Sequence, residues 1–138
     1  MDREALISRL RAVLASVPRL RLAVLFGSRA RGTARAESDA DVAILPEGEL
    51  TLEAELNLAA ALSGATGLEI DLVRLDRADP LLAREVVRTG VPVFEAQPGE
   101  LAAFRADAIS AWLDFDETIA PHRARFLSRL AGTGGAPR

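Results

Sequence analysis

The chain has 138 residues, enough for one compact domain around one hydrophobic core. Hydrophobic residues make up 49% and charged residues 27%, which excludes wholesale disorder, and no apolar run reaches the ~18–20 residues needed to span a bilayer. The formal net charge is −3, which argues against a broad electropositive face for nucleic acid, so no direct nucleic-acid binding is expected.

In chain order, Asp2 is a plausible N-cap for a helix running to about Ser16, with Leu6, Leu10, Val13 and Leu14 at helical spacing. Pro18 stops it. Leu20 to Phe26 is a short apolar run suited to a buried strand, and it passes straight into Gly27-Ser28 and an arginine-bearing turn. Asp39 to Leu45 reads as a second strand, polar at its start. Thr51 then caps a helix expected to bury Leu52, Leu56, Ala59 and Leu62. Leu68 to Leu75 is the third strand, and Asp79-Pro80 starts a helix that ends at Gly90. Val91 to Glu95 is a fourth strand. Pro98-Gly99 opens a long helix with Leu101, Phe104, Ala108, Trp112, Phe115 and Ile119 on one face, broken or kinked near Pro121. Residues 1–131 form the expected domain, and residues 132–138 a disordered tail. This is an α/β (α+β) pattern with about four strands.

The missing residue types narrow the chemistry. There is no cysteine, so disulfides, thiolate zinc sites and cysteine nucleophiles are excluded. All 17 basic residues are arginine, which removes a P-loop lysine and a Schiff-base lysine. Tyrosine is absent, and His122 is the single histidine. It reads as a surface or helix-terminal residue. Chemistry falls to carboxylates, arginines, hydroxyls and backbone amides. The N-terminus, Met1-Asp2-Arg3-Glu4, lacks the pattern of a signal peptide, and a cytoplasmic address is expected.

Asp39 and Asp41 lie two apart on a predicted strand, so both project from one face, roughly 6.5–7 Å apart at the backbone. Such a pair repels itself unless a cation intervenes, and converging carboxylates can bridge two magnesium ions about 3.5–4 Å apart. An isolated Asp-x-Asp is more often a solvated strand end. Asp71 shifts the balance, because it stands between Ile70 and Leu72 in a run that otherwise wants burial. It either joins Asp39 and Asp41 or pairs with an arginine such as Arg74. Gly27 permits a tight strand-to-turn transition, and Ser28 can cap that turn and offer its hydroxyl to a phosphate. Arg29, Arg31 and Arg35 supply bidentate donors for phosphate oxygens. Gly-Ser, ten residues, then Asp-x-Asp arises by chance in about one chain per thousand of this size.

That spacing resembles the signature of DNA polymerase β-like nucleotidyltransferases. The fuller string from Gly27 to Gly32, with Ser38-Asp39-Ala40-Asp41, is similar to the minimal nucleotidyltransferase branch, which includes antitoxins that act as protein adenylyltransferases. Glu69 to Val73 resembles the family's third-carboxylate strand, and Gly90 to Glu95 its closing strand. The resemblance implies a small mixed sheet with helices mainly on one side. It implies that Asp39 and Asp41 hold two Mg2+ ions, that Asp71 completes the triad, and that Gly27 and Ser28, with Arg29 and Arg31, secure an ATP triphosphate. Ala40 departs mildly, standing where relatives carry a bulkier apolar residue. The implied reaction is AMP transfer to a hydroxyl, a tyrosine of a HEPN-type toxin from the neighbouring gene. A small-molecule nucleotidyltransferase acting as a homodimer and a binding-only antitoxin are the alternatives.

Overall fold

The computed structural model describes residues 1–35 and 37–114. The expectations for Phe115, Ile119, Pro121, His122 and the 132–138 tail lie outside the described residues.

Helix α1 (Arg3–Leu14) starts where the Asp2 carboxylate accepts the amide of Ala5 at 2.8 Å. Strand β1 (Leu20–Phe26) leads without a loop into the short helix α2 (Gly27–Arg31). Strand β2 (Ala40–Pro46) is followed by α3 (Leu52–Thr66), capped by Thr51, and by β3 (Ile70–Arg74). Asp79 caps α4 (Pro80–Thr89) with proline in its first turn, and β4 (Val91–Glu95) precedes the last helix, α5, described over residues 100–114. Among the described residues no helix is long and apolar enough to cross a membrane.

The four strands form one mixed sheet in the order β3-β2-β1-β4. β1 pairs antiparallel with β2 and β4, whereas β2 and β3 run parallel, joined by the α3 crossover. This wiring gathers the end of β1 and the starts of β2 and β3 at one edge of the sheet.

Leu20, Leu25, Val42 and Ile44 share a core with Leu6, Leu10 and Leu14 of α1 and Leu58 and Leu62 of α3. Leu22, Val24 and Phe26 join a smaller core with Val86 of α4 and Leu101 of α5. The larger core agrees with helices mainly on one side. The second face is covered as well, because every residue of β1 except Arg21 is buried.

Two local expectations change. Leu52 and Leu56 of α3 are 69% and 61% exposed, and Leu58, Leu62 and Thr66 form the buried stripe instead. A helix this rich in leucine and alanine offers two faces at helical spacing, and contact with α1 and β3 selects one. β3 is also shorter than Leu68 to Leu75, since Leu75–Arg77 turn into a 3-10 helix.

Candidate active site

The site is built on the shared sheet edge. Phe26, last in β1, faces Asp41 across the antiparallel ladder, and Asp41 faces Asp71 across the parallel one. The register alone brings together two carboxylates thirty residues apart in sequence. Asp39 lies just before β2, which is tied to the β3 side by a 2.9 Å bond from the Ala40 amide to the Glu69 carbonyl.

Burial raises the Asp41 pKa above its ordinary 3.8, and the charges of Asp71, Asp39 and Glu85 push it further. A hydrogen bond with Asp71, which needs a proton on one of the two acids, acts in the same direction. Asp41 thus sits among like charges in partly desolvated surroundings.

Asp71 itself is exposed, because β3 is the sheet's edge strand. The expected cost of burying it therefore falls on Asp41. The alternative of an Asp71–Arg74 pair does not form among the described contacts. Arg74 gives its Nε and Nη2 to Asp76 at 3.1 and 2.7 Å, gives Nη1 to the Leu50 carbonyl at 2.7 Å, and stands 3.8 Å from Glu55.

Gly27 lies against Asp41. Its φ is +74°, and a Cβ there would collide with Asp41 Oδ2. Helix α2 begins at Gly27, so Phe26 is the N-cap residue and Ser28 lies inside the helix, not at its cap. The Ser28 carbonyl receives the amides of Gly32 and Thr33, leaving its half-buried hydroxyl without a hydrogen-bond partner among the described residues.

The arginines divide. Arg29 is 9% exposed, and its Nη2 donates to the carbonyls of Arg35 and Ser38 at 3.2 and 2.8 Å. It braces the loop that delivers Asp39, a task the sequence reading did not give it. Arg31 and Arg35 are exposed.

Sequence reasoning missed two residues of α4. Glu85 places its charge near Asp41. The Thr89 hydroxyl accepts the Gly27 amide at 3.0 Å. Neither has a local signature, since both reach the site only through the packing of α4 on β1.

Among the described residues, no group of three or more acidic, histidine or cysteine side chains is already gathered to hold a metal ion. The donors that do converge, carboxylate oxygens, are those magnesium prefers when it shares its sphere with phosphates. The grooves between α4 and α5 and between α1 and α3 contain neither Gly27 nor Asp39, Asp41 or Asp71.

A sheet edge that joins a Gly-Ser helix to an Asp-x-Asp strand and a third acid is the arrangement of a nucleotidyltransferase core, and the family model described as "Polymerase beta, Nucleotidyltransferase" matches residues 8–99, so the chain belongs to that family. Within it, the chain is similar to the protein adenylyltransferase MntA of Shewanella oneidensis, at 37% identity over 82 residues, 59% of each chain. It spans 59% and 65% of the length of the curated relatives it matches. A crystal structure of a toxin–antitoxin with AMP-PNP superposes with a TM-score of 0.74 and 28% identity, covering 92% of this chain and 99% of that one. A tri-AMPylated Shewanella oneidensis HEPN toxin in complex with MNT antitoxin gives 0.73 and 25%, covering 91% and 98%.

Proposed function

We propose that this chain is the antitoxin of a toxin–antitoxin pair and transfers AMP from ATP to a tyrosine hydroxyl of a HEPN-type ribonuclease, in the cytoplasm. The observation that carries the reading is the Asp41–Asp71 register pair with the Gly27-Ser28 turn pressed onto it. The similarity to MntA and to toxin–antitoxin crystal structures supports the choice of acceptor.

The donor set fits magnesium: Asp39 and Asp41 would hold two ions, and Asp71 would join the one on the acceptor side, with nucleotide oxygens completing each sphere. Bound there, the metal would lower the pKa of the attacking hydroxyl and neutralise the leaving pyrophosphate. Ser28 offers its hydroxyl to the triphosphate, and exposed Arg31 supplies a cation beside it. Arg29 keeps Asp39 in place through the Ser38 carbonyl. Asp71, which is exposed and would join the acceptor-side ion alone, would help accept the hydroxyl proton.

The bond formed joins the tyrosine oxygen to the α-phosphorus, and the α–β phosphoanhydride bond breaks, releasing pyrophosphate. The product adds a bulky base and about one negative charge. Near an RNA-cleaving site that charge opposes the RNA backbone, so ribonuclease activity falls without a lasting complex.

Intact-mass spectrometry of the neighbouring gene's product, co-expressed with this chain, tests the reading. Adenylate-sized increments are expected with the wild type and not with Asp39→Asn/Asp41→Asn. A partner that stays unmodified yet is neutralised equally by both versions overturns transfer and leaves binding alone as the antitoxin activity. A neighbour unrelated to ribonucleases overturns the choice of acceptor and moves the weight to a small-molecule substrate.

A further inference from the structure

Helix α4 reaches the Gly27 turn through one hydroxyl. Thr89 Oγ1 donates its single proton to the Glu85 carbonyl one turn back, at 3.0 Å. That bond fixes the rotamer of a β-branched side chain and turns a lone pair outward, where the Gly27 amide donates to it at 3.0 Å.

The end of α4 is pressed onto the sheet at the same level. A Cβ on Gly90 would meet the Val86 carbonyl and stand 2.6 Å from Val24 Cγ1. The Gly90 amide closes on Val86 at 2.8 Å. Packing, and not the hydroxyl alone, therefore sets where Thr89 stands.

Gly27 is consequently clamped on two sides: its missing side chain leaves room for the Asp41 carboxylate, and its amide is held by Thr89. Ser28 follows immediately. We infer that Thr89 is a positioning residue, which fixes the Gly27 turn between α4 and Asp41 and so sets the Ser28 hydroxyl for the nucleotide. It touches neither nucleotide nor acceptor. The inference rests on the nucleotide reading of the site for its consequence, but the clamp itself does not.

Three proteins test it: wild type, Thr89→Val, which keeps the shape and loses the acceptor, and Thr89→Ser, which keeps the hydroxyl. Hydrogen exchange of the Gly27 amide in nucleotide-free protein reads the clamp directly. Exchange roughly tenfold faster in Thr89→Val, with wild-type protection in Thr89→Ser, is expected for a lost hydrogen bond. Calorimetric titration with ATP and magnesium reads the consequence. Affinity is expected to fall about five- to tenfold in Thr89→Val and to be restored in Thr89→Ser, with the α1 and α3 amides protected equally in all three.

Unchanged Gly27 exchange in Thr89→Val overturns the clamp. Faster exchange with unchanged ATP affinity overturns the positioning role. If wild type itself fails to bind ATP, the positioning role falls along with the nucleotide reading, and the exchange measurement still decides the clamp. Loss of protection throughout Thr89→Val overturns the inference too, unless Thr89→Ser restores both the fold and the affinity.

Discussion

The two ends of β3 treat charge in opposite ways. At its start, Asp71 faces Asp41 in the neighbouring strand, and the surroundings supply further negative charge from Asp39 and Glu85. At its end, three residues on, Arg74 is buried yet holds Asp76 through two hydrogen bonds and the Leu50 carbonyl through a third. The Arg74 end is satisfied within the chain. The Asp41 end gathers like charges, and Asp39, Asp41 and Asp71 have no ion-pair partner among the described residues. The pKa directions agree: Asp41 is raised above 3.8, chiefly by burial, and Asp76 is lowered below it, chiefly by its hydrogen bond to Arg74. The contrast separates a carboxylate paired within the fold from those that the proposed function assigns to chemistry.

The largest test of that contrast removes the unsatisfied charges. Asp39→Asn/Asp41→Asn is expected to lower AMP transfer by roughly a thousandfold or more, the scale of losing a central electrostatic stabiliser. Metal-free stability should hold or rise, because repulsion is removed. Transfer from α-labelled ATP, with denaturant unfolding in a chelator, measures both. Wild-type transfer would end the assignment.

Breaking the satisfied end should do the reverse. Arg74→Met is expected to cost about 3 kcal/mol of stability, since it leaves Asp76 and the Leu50 carbonyl without their donor. Adding Asp76→Asn should recover part of that loss. Urea unfolding reads it, and equal losses in the single and double variants would show that the pair is not the unit.

Ser28→Ala sharpens the comparison on the nucleotide side. One hydrogen bond to a charged group is lost, so nucleotide binding should weaken by about 1–2 kcal/mol while stability stays as it was. Unchanged calorimetric affinity removes Ser28 from the site.

The smallest effect is on pH dependence, and its sign differs between the ends. Between 3.8 and the raised value of Asp41, the folded protein binds more protons than the unfolded chain. Metal-free stability therefore falls as pH rises through that window. Asp76 behaves oppositely: its contribution is present above 3.8 and is lost as pH falls through its lowered value. Thermal unfolding of Asp41→Asn in a chelator should show a flatter profile above pH 3.8 than wild type. An identical slope would show that the Asp41 surroundings are not costly.

What was legible in the sequence was local. The caps at Asp2, Thr51 and Asp79 read correctly because a capping side chain bonds within three residues of itself. β1 and β4 were readable because both are short runs bounded by turn residues. The Asp41–Asp71 juxtaposition followed from the family signature, and its register became visible only with the parallel pairing. The roles of Arg29, Glu85 and Thr89 were hidden, because each depends on a helix or loop brought in from elsewhere. Ser28 is not the cap because α2 begins one residue earlier, at a Gly27 that carries no capping side chain to mark the start.

The collision between a Cβ at Gly27 and the Asp41 carboxylate has a consequence for sequence drift. The two positions form one steric unit, so position 27 cannot take a side chain while the Asp41 carboxylate keeps its place. A side chain at position 27 displaces the carboxylate, and losing the carboxylate lifts the spatial veto, leaving only the backbone preference for glycine. A descendant that loses the carboxylate at position 41 meets only the backbone preference when a small residue such as alanine or serine arises at position 27. Glycine at 27 is thus expected to accompany aspartate at 41 in sequences that keep this packing.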